Sequence, residues 1–166
     1  MTNPPPVHGP DWFTAPPRRR MGVHAVITRG TRILLVTKPY RAGDSAWSLP
    51  GGSAAPGEAP SDALPRILSA RLGLTATTGD LLAFDSVPAR ENEHYEGLNF
   101  VYAVRLPGGA EPVVTANGRL GEARWVERAA LGEHAAGHPL RRIGASLAAR
   151  DHGHAAELYH GVPRTR

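Results

Sequence analysis

Residues Gly51–Leu74 read GGSAAPGEAPSDALPRILSARLGL, and the reading of this stretch decides the fold. It reads as a strand end, a glycine-rich loop and one helix that closes on Gly73. Trp47-Ser48-Leu49-Pro50 leads into it. Ser61 is a good N-cap, and Asp62 stands just inside, where a carboxylate favours the helix dipole. The regular helix is therefore expected from Ser61 to Leu72, with Gly73 as the residue that ends it. Pro65 conflicts with this, because an interior proline removes a backbone hydrogen bond and costs about 3 kcal/mol. A helix that starts at Glu58 and kinks at Pro65 is the alternative.

Glu58 lies six residues after Gly52, Arg66 eight after Glu58, and Gly73 seven after Arg66. This register resembles the Nudix box, the loop-helix signature of the Nudix hydrolase superfamily. Gly51, Gly52, Glu58, Arg66, Leu68, Gly73 and Leu74 match its pattern. The resemblance covers the whole box and, more loosely, residues 21–150. It implies an α/β fold, an α/β/α sandwich built on a mixed sheet. It also implies that Glu58 and Arg66 pair and brace the loop against the helix. The three glutamates that carry metal in the family align with Ile67, Ala70 and Arg71.

Positions 67, 70 and 71 are i, i+3 and i+4, so they share one helix face. Three carboxylates there would hold Mg²⁺, which takes oxygen ligands, and would activate water against a diphosphate. Ile67 and Ala70 offer no ligand atom, and Arg71 repels cations. No metal and no cofactor are therefore expected on this face. Arg71 reads either as a solvated cation in the last helical turn or as a fork for phosphate oxygens.

Outward from the box, Met1–Pro17 is dense in proline and reads with Arg18–Arg20 as an extended or disordered arm over residues 1–20. Val23, Ala25 and Ile27 alternate with His24, Val26 and Thr28 as a strand does. Ile33–Val36 is an unbroken apolar run, the pattern of a strand covered on both faces. The following polar loop supplies Lys38, Tyr40 and Arg41 as candidate ligand contacts, with Arg71. Strands are expected around Leu81–Val87, Leu98–Val104 and Glu122–Val126. Between the first two lies a charged loop holding Glu91, Glu93, His94 and Glu96. Glu91, Glu93 and His94 join His24 as catalytic candidates, since His titrates near neutral pH. Pro139 marks the start of a last helix. Leu140, Ile143 and Leu147 should face the sheet while Arg141, Arg142 and Arg150 point elsewhere. Residues 151–166, with His152, His154 and His160, read as a solvated tail.

The chain has 166 residues, 41% of them hydrophobic, which suits one domain at 21–150 between arm and tail. It has no cysteine, no apolar run of membrane-spanning length and no signal-peptide core, so a cytoplasmic protein is expected. The net charge of +4 permits anionic partners. Without a zinc-finger pattern or repeated aromatic-basic arrangement, nucleic acid is not the expected partner. A small-molecule ligand is, and a homodimer is allowed. The first functional reading is a repurposed, metal-independent enzyme acting on a small, phosphorylated metabolite, with a place in biosynthesis. The alternatives are a residual Mg²⁺-dependent hydrolase of nucleoside diphosphates linked to another moiety, using Glu58, Asp62 and the 91–96 loop, and a non-catalytic ligand-binding or regulatory module.

Overall fold

The computed structural model describes residues 12–39, 47–89, 96–116 and 119–164. Among them, nine strands form one mixed sheet in the order β3-β2-β1-β6-β5-β8-β9, with β4 on β1 and β7 on β2. The strands are β1 (Arg19–Arg29), β2 (Arg32–Thr37), β3 (Trp47–Ser48), β4 (Gly51–Ser53), β5 (Thr77–Val87), β6 (Glu96–Arg105), β7 (Ala123–Glu127), β8 (Ala156–Tyr159) and β9 (Val162–Pro163). The helices are α1 (Pro60–Leu72), the one-turn α2 (Leu131–His134) and α3 (Gly137–His152). β1 lies parallel to β6, and β5 parallel to β8. β1 also changes partner along its length, pairing with β4 at Gly22–His24 and with β2 at Thr28–Arg29.

Two cores follow from strand alternation. Val23, Ala25 and Ile27 of β1 pack with Leu34, Val36 and the apolar face of α1. Val26 packs with Ile33, Leu35, Val101 and the Ile143–Leu147 face of α3. The sheet is thus covered on both sides, the layered α/β arrangement expected from the resemblance. Among the described residues, no helix is long and apolar enough to cross a membrane.

Several expectations are corrected. Helix α1 begins at Pro60, not Ser61, and Ala59 occupies the N-cap without a side-chain bond. Proline at the first helical position has its φ already set and lacks only an N–H that would be orphaned anyway. Pro65 does sit inside the helix, and the carbonyl that it leaves unpaired, Ser61 O, accepts a 2.9 Å bond from Thr78 Oγ1 of β5. Helix α3 begins at Gly137, which places Pro139 in its first turn. Arg142 does not point elsewhere but is buried against the sheet. Residues 151–164 are not a solvated tail. They finish α3 and then add β8 and β9 to the sheet, with Leu158 in the core.

Candidate functional site

The box loop is held as the resemblance implied. Arg66 grips Glu58 with two parallel bonds, Nε to Oε1 at 2.7 Å and Nη2 to Oε2 at 2.6 Å. Glu58 Oε2 also accepts the Ala55 N–H at 2.7 Å, so one carboxylate closes the loop and ties it to α1. These bonds lower the Glu58 pKa to about 2 from an ordinary 4.5, with the Arg66 bond the largest cause. Because the folded value is depressed, this bracing is fully present above pH 4.5 and is lost as pH falls through 2. The Glu58 carboxyl resonance is expected to titrate near 2 in the native protein and to move back toward 4.5 in Arg66→Gln, as carbon-detected NMR would read.

At the C-terminal end of α1, Arg71 turns back over β4. Its Nη1 donates to Gly51 O at 2.6 Å. Its guanidinium fills the place that a Cβ on Gly52 would take, 3.0 Å away. Ile67, one turn earlier, is buried in the core under α1. The last turn of α1 is also covered: Thr115 donates to Ala70 O and Arg71 O, and Val113 N to Leu72 O.

His24 sits on the other face of the same ladder. By alternation it shares the α3 side with Val26, whereas Arg71 approaches from the α1 side. The structure therefore does not bring His24 and Arg71 together on one face; Gly51 and Gly52 stand between them, paired with His24 and Val23. On the α3 side His24 Nε2 lies 3.2 Å from Asn99 Oδ1. Arg20 Nη2 donates to the same oxygen at 3.5 Å, and an arginine can only donate. The shared atom is thus the amide oxygen, His24 Nε2 carries the proton, and Nδ1 holds the lone pair. Burial, then the nearby Lys38 and Arg142 charges, push the His24 pKa well below its ordinary 6.5, so the ring is neutral at pH 7.

Lys38 and Arg142 are both buried at this end of the sheet. Arg142 is held by Asp85 at 2.6 Å, and Asp85 also accepts the Gly161 N–H at 3.0 Å. Tyr40, Arg41, Glu91, Glu93 and His94 lie outside the described residues. Among those described, no three of His, Asp or Glu gather as a metal centre would require.

The sequence reading missed Arg20, Asp85, Asn99 and Arg142. Its one available signal was a polar residue inside an apolar strand run, Asn99 between Leu98 and Phe100 and Asp85 after Phe84. Gly22 also escaped notice; a Cβ there would meet Asn99 Oδ1 at 2.0 Å, so only glycine leaves room for the His24–Asn99 contact.

The sequence has no match among curated proteins. Solved structures do resemble it. One is the solution structure of the E. coli ORF135 protein, 25% identical, with a TM-score of 0.64 and 82% of this chain and 94% of that chain covered. Another is a MutT NUDIX hydrolase from Burkholderia pseudomallei, 27% identical, with a TM-score of 0.56 and 66% and 84% covered. A UDP-X diphosphatase, 18% identical, shares the fold with a TM-score of 0.63 and 85% and 67% covered. The model of the NUDIX domain matches residues 18–146, from Arg18, just before β1, into α3. That match takes in the box, most of both cores and the buried cluster around His24, and the chain belongs to the NUDIX domain family.

Proposed function

We propose that this chain uses the Nudix scaffold without a metal on the box helix, as a metal-independent enzyme acting on a small, phosphorylated metabolite. The observation that carries the reading is the hydrogen bond from Arg71 to the Gly51 carbonyl. A hard divalent cation needs several oxygen ligands. On the shared face of α1, Ile67 is buried in the core, Ala70 carries a methyl, and Arg71 sets a guanidinium against a backbone oxygen. Two unit charges 4 Å apart interact by roughly 4 kcal/mol at an effective dielectric of about 20, and a divalent ion doubles the repulsion. Glu58 is already committed to Arg66. The donor set does not fit Mg²⁺, and no step is assigned to it. Arg71 supplies instead a fixed positive charge.

His24 is the proton-transfer residue in this reading. Its Nε2–H is fixed by Asn99, which leaves Nδ1 as the base, and its lowered pKa keeps that base unprotonated at neutral pH. Lys38, beside it, holds a negatively charged substrate group. The reading is tested with a panel of phosphorylated metabolites in excess EDTA. Turnover is expected to persist in EDTA and to fall at least 100-fold in His24→Asn. Activity abolished by EDTA and restored by Mg²⁺ would reject it in favour of a residual hydrolase like those named in the related structures.

The burial of His24 and Lys38, 6% and 4% exposed, favours a second reading as a non-catalytic ligand-binding module. That reading predicts thermal stabilisation by a metabolite which the protein never consumes.

A further inference from the structure

At the other end of the sheet, β1, β6, β7 and α3 enclose an open cleft of about 470 Å³. This is within the roughly 300–1,000 Å³ typical of small-molecule sites. It lies along Val26–Arg29, while the box pairs with Gly22–His24. From His24 the strand advances roughly 7 Å to Val26, at the near edge of the cleft, and roughly 17 Å to Arg29, at about 3.3 Å per residue. The cleft is therefore separate from the site described above.

Its lining has two parts. Apolar side chains make one wall, chiefly Leu106, Pro107 and Trp125. Three arginines, Arg29, Arg105 and Arg150, supply the charge, and none of the lining residues is acidic. Arg29 is committed elsewhere: it stacks on Trp125, 4.3 Å from the ring centroid, and pairs with Glu111. Trp125 Nε1 donates to the same glutamate at 3.0 Å, so this wall is locked in place. Arg150 is oriented by a 2.6 Å bond to Thr28 Oγ1. Among the described residues, neither Arg105 nor Arg150 has a carboxylate ion-pair partner. The neighbouring arginines Arg32 and Arg128 do, in Glu127 and Asp151.

We propose that this cleft is a second ligand site, for a small organic phosphate whose phosphate is held by Arg105 and Arg150 and whose apolar body rests on Leu106 and Trp125. Two guanidiniums delivered from different elements favour phosphate over carboxylate. A phosphate monoester carries about −1.5 to −2 charges and three acceptor oxygens, enough for both forks, whereas one carboxylate satisfies one fork. The turn at Gly108 and Gly109 leaves the mouth open, since nothing lies within 4 Å of either Cβ position.

The test is titration of 1-naphthyl phosphate into the full-length ¹⁵N-labelled protein, followed by the Gly108 and Gly109 amides and the Trp125 indole N–H. Saturable shifts at these three signals are expected. Arg105→Gln combined with Arg150→Gln should weaken binding at least tenfold, and Arg18→Gln should leave it unchanged. Arg105 is exposed, so Arg105→Gln alone gives a variant in which a loss of fold does not confuse the result. 1-Naphthol and inorganic phosphate, each carrying half of the chemistry, should bind at least tenfold more weakly. Signals unmoved at millimolar probe, an unaltered response in the double variant, or shifts confined to Gly51 and Gly52 would overturn the proposal.

Discussion

Alanine at Asp85 is expected to lower stability by about 3–5 kcal/mol, the usual cost of removing one partner from a buried ion pair. Asp85 and Arg142 are 0% and 7% exposed in their side chains. Both nitrogens facing the carboxylate, Nε and Nη2 of Arg142, lie 2.6 Å from Oδ2. Truncation would leave the buried Arg142 guanidinium without its carboxylate between α3 and the sheet. It would also orphan the Gly161 N–H, which reaches Oδ1 at 3.0 Å. Asp85 thereby joins three parts of the chain: β5, α3 and the β8–β9 turn. The loss should be cooperative, with faster amide exchange in β8 and β9 and a lower urea midpoint. Asp85→Leu with Arg142→Met should recover most of the loss, because an apolar pair of similar shape removes the uncompensated charge. An Asp85→Ala variant within about 1 kcal/mol of the parent would show that the pair is solvated in solution.

The same carboxylate explains why part of the fold was hidden in the sequence. The unbroken run Ile33–Val36 announced a strand covered on both faces, and both cores do meet on it. The Gly51–Leu74 register announced the loop-helix, because it rests on local spacing. Residues 156–159, Ala-Glu-Leu-Tyr, announced nothing: only Leu158 is buried, and the strand exists by pairing with β5. That pairing is supported by the Asp85–Gly161 bond, across 76 residues of sequence, which no window of local pattern can register. Asn99 and Asp85 left only a weak signal for a related reason. A polar residue on a strand is ordinarily read as facing water, and it turns inward only when a distant residue satisfies it. Pro65 is the helical counterpart. Its penalty was visible, but the hydroxyl of Thr78 that meets the freed carbonyl was not. His24 was picked out as a titrating residue; what gives it a fixed tautomer is Asn99, from β6, together with Arg20, four residues earlier on its own strand.

Adjacent glycines in β4 should respond differently to alanine, and the contrast reports on how closely the box is seated. A Cβ on Gly51 would stand 2.0 Å from Val23 O and 2.9 Å from His24 Cα, both backbone atoms of β1. No rotamer change relieves such a clash, so β4 must move away from β1. That movement breaks the Gly22–His24 pairing, displaces the carbonyl that Arg71 holds, and disturbs the strand carrying His24. Gly51→Ala is therefore expected to cost about 3 kcal/mol, the upper end of ordinary overpacking. A Cβ on Gly52 meets instead the Arg71 guanidinium at 3.0 Å, the far end of a long side chain. Arg71 can swing aside, giving up its charge-assisted bond to Gly51 O, so Gly52→Ala should cost about 1–2 kcal/mol. Combining Gly52→Ala with Arg71→Ala should then cost little more than Arg71→Ala alone, since the clash and the bond concern the same guanidinium. Urea titrations of the four variants decide the matter. Equal losses at Gly51 and Gly52, or full additivity of Gly52→Ala with Arg71→Ala, would mean that Arg71 does not rest on this strand, and the positive charge assigned to the box would lose its position.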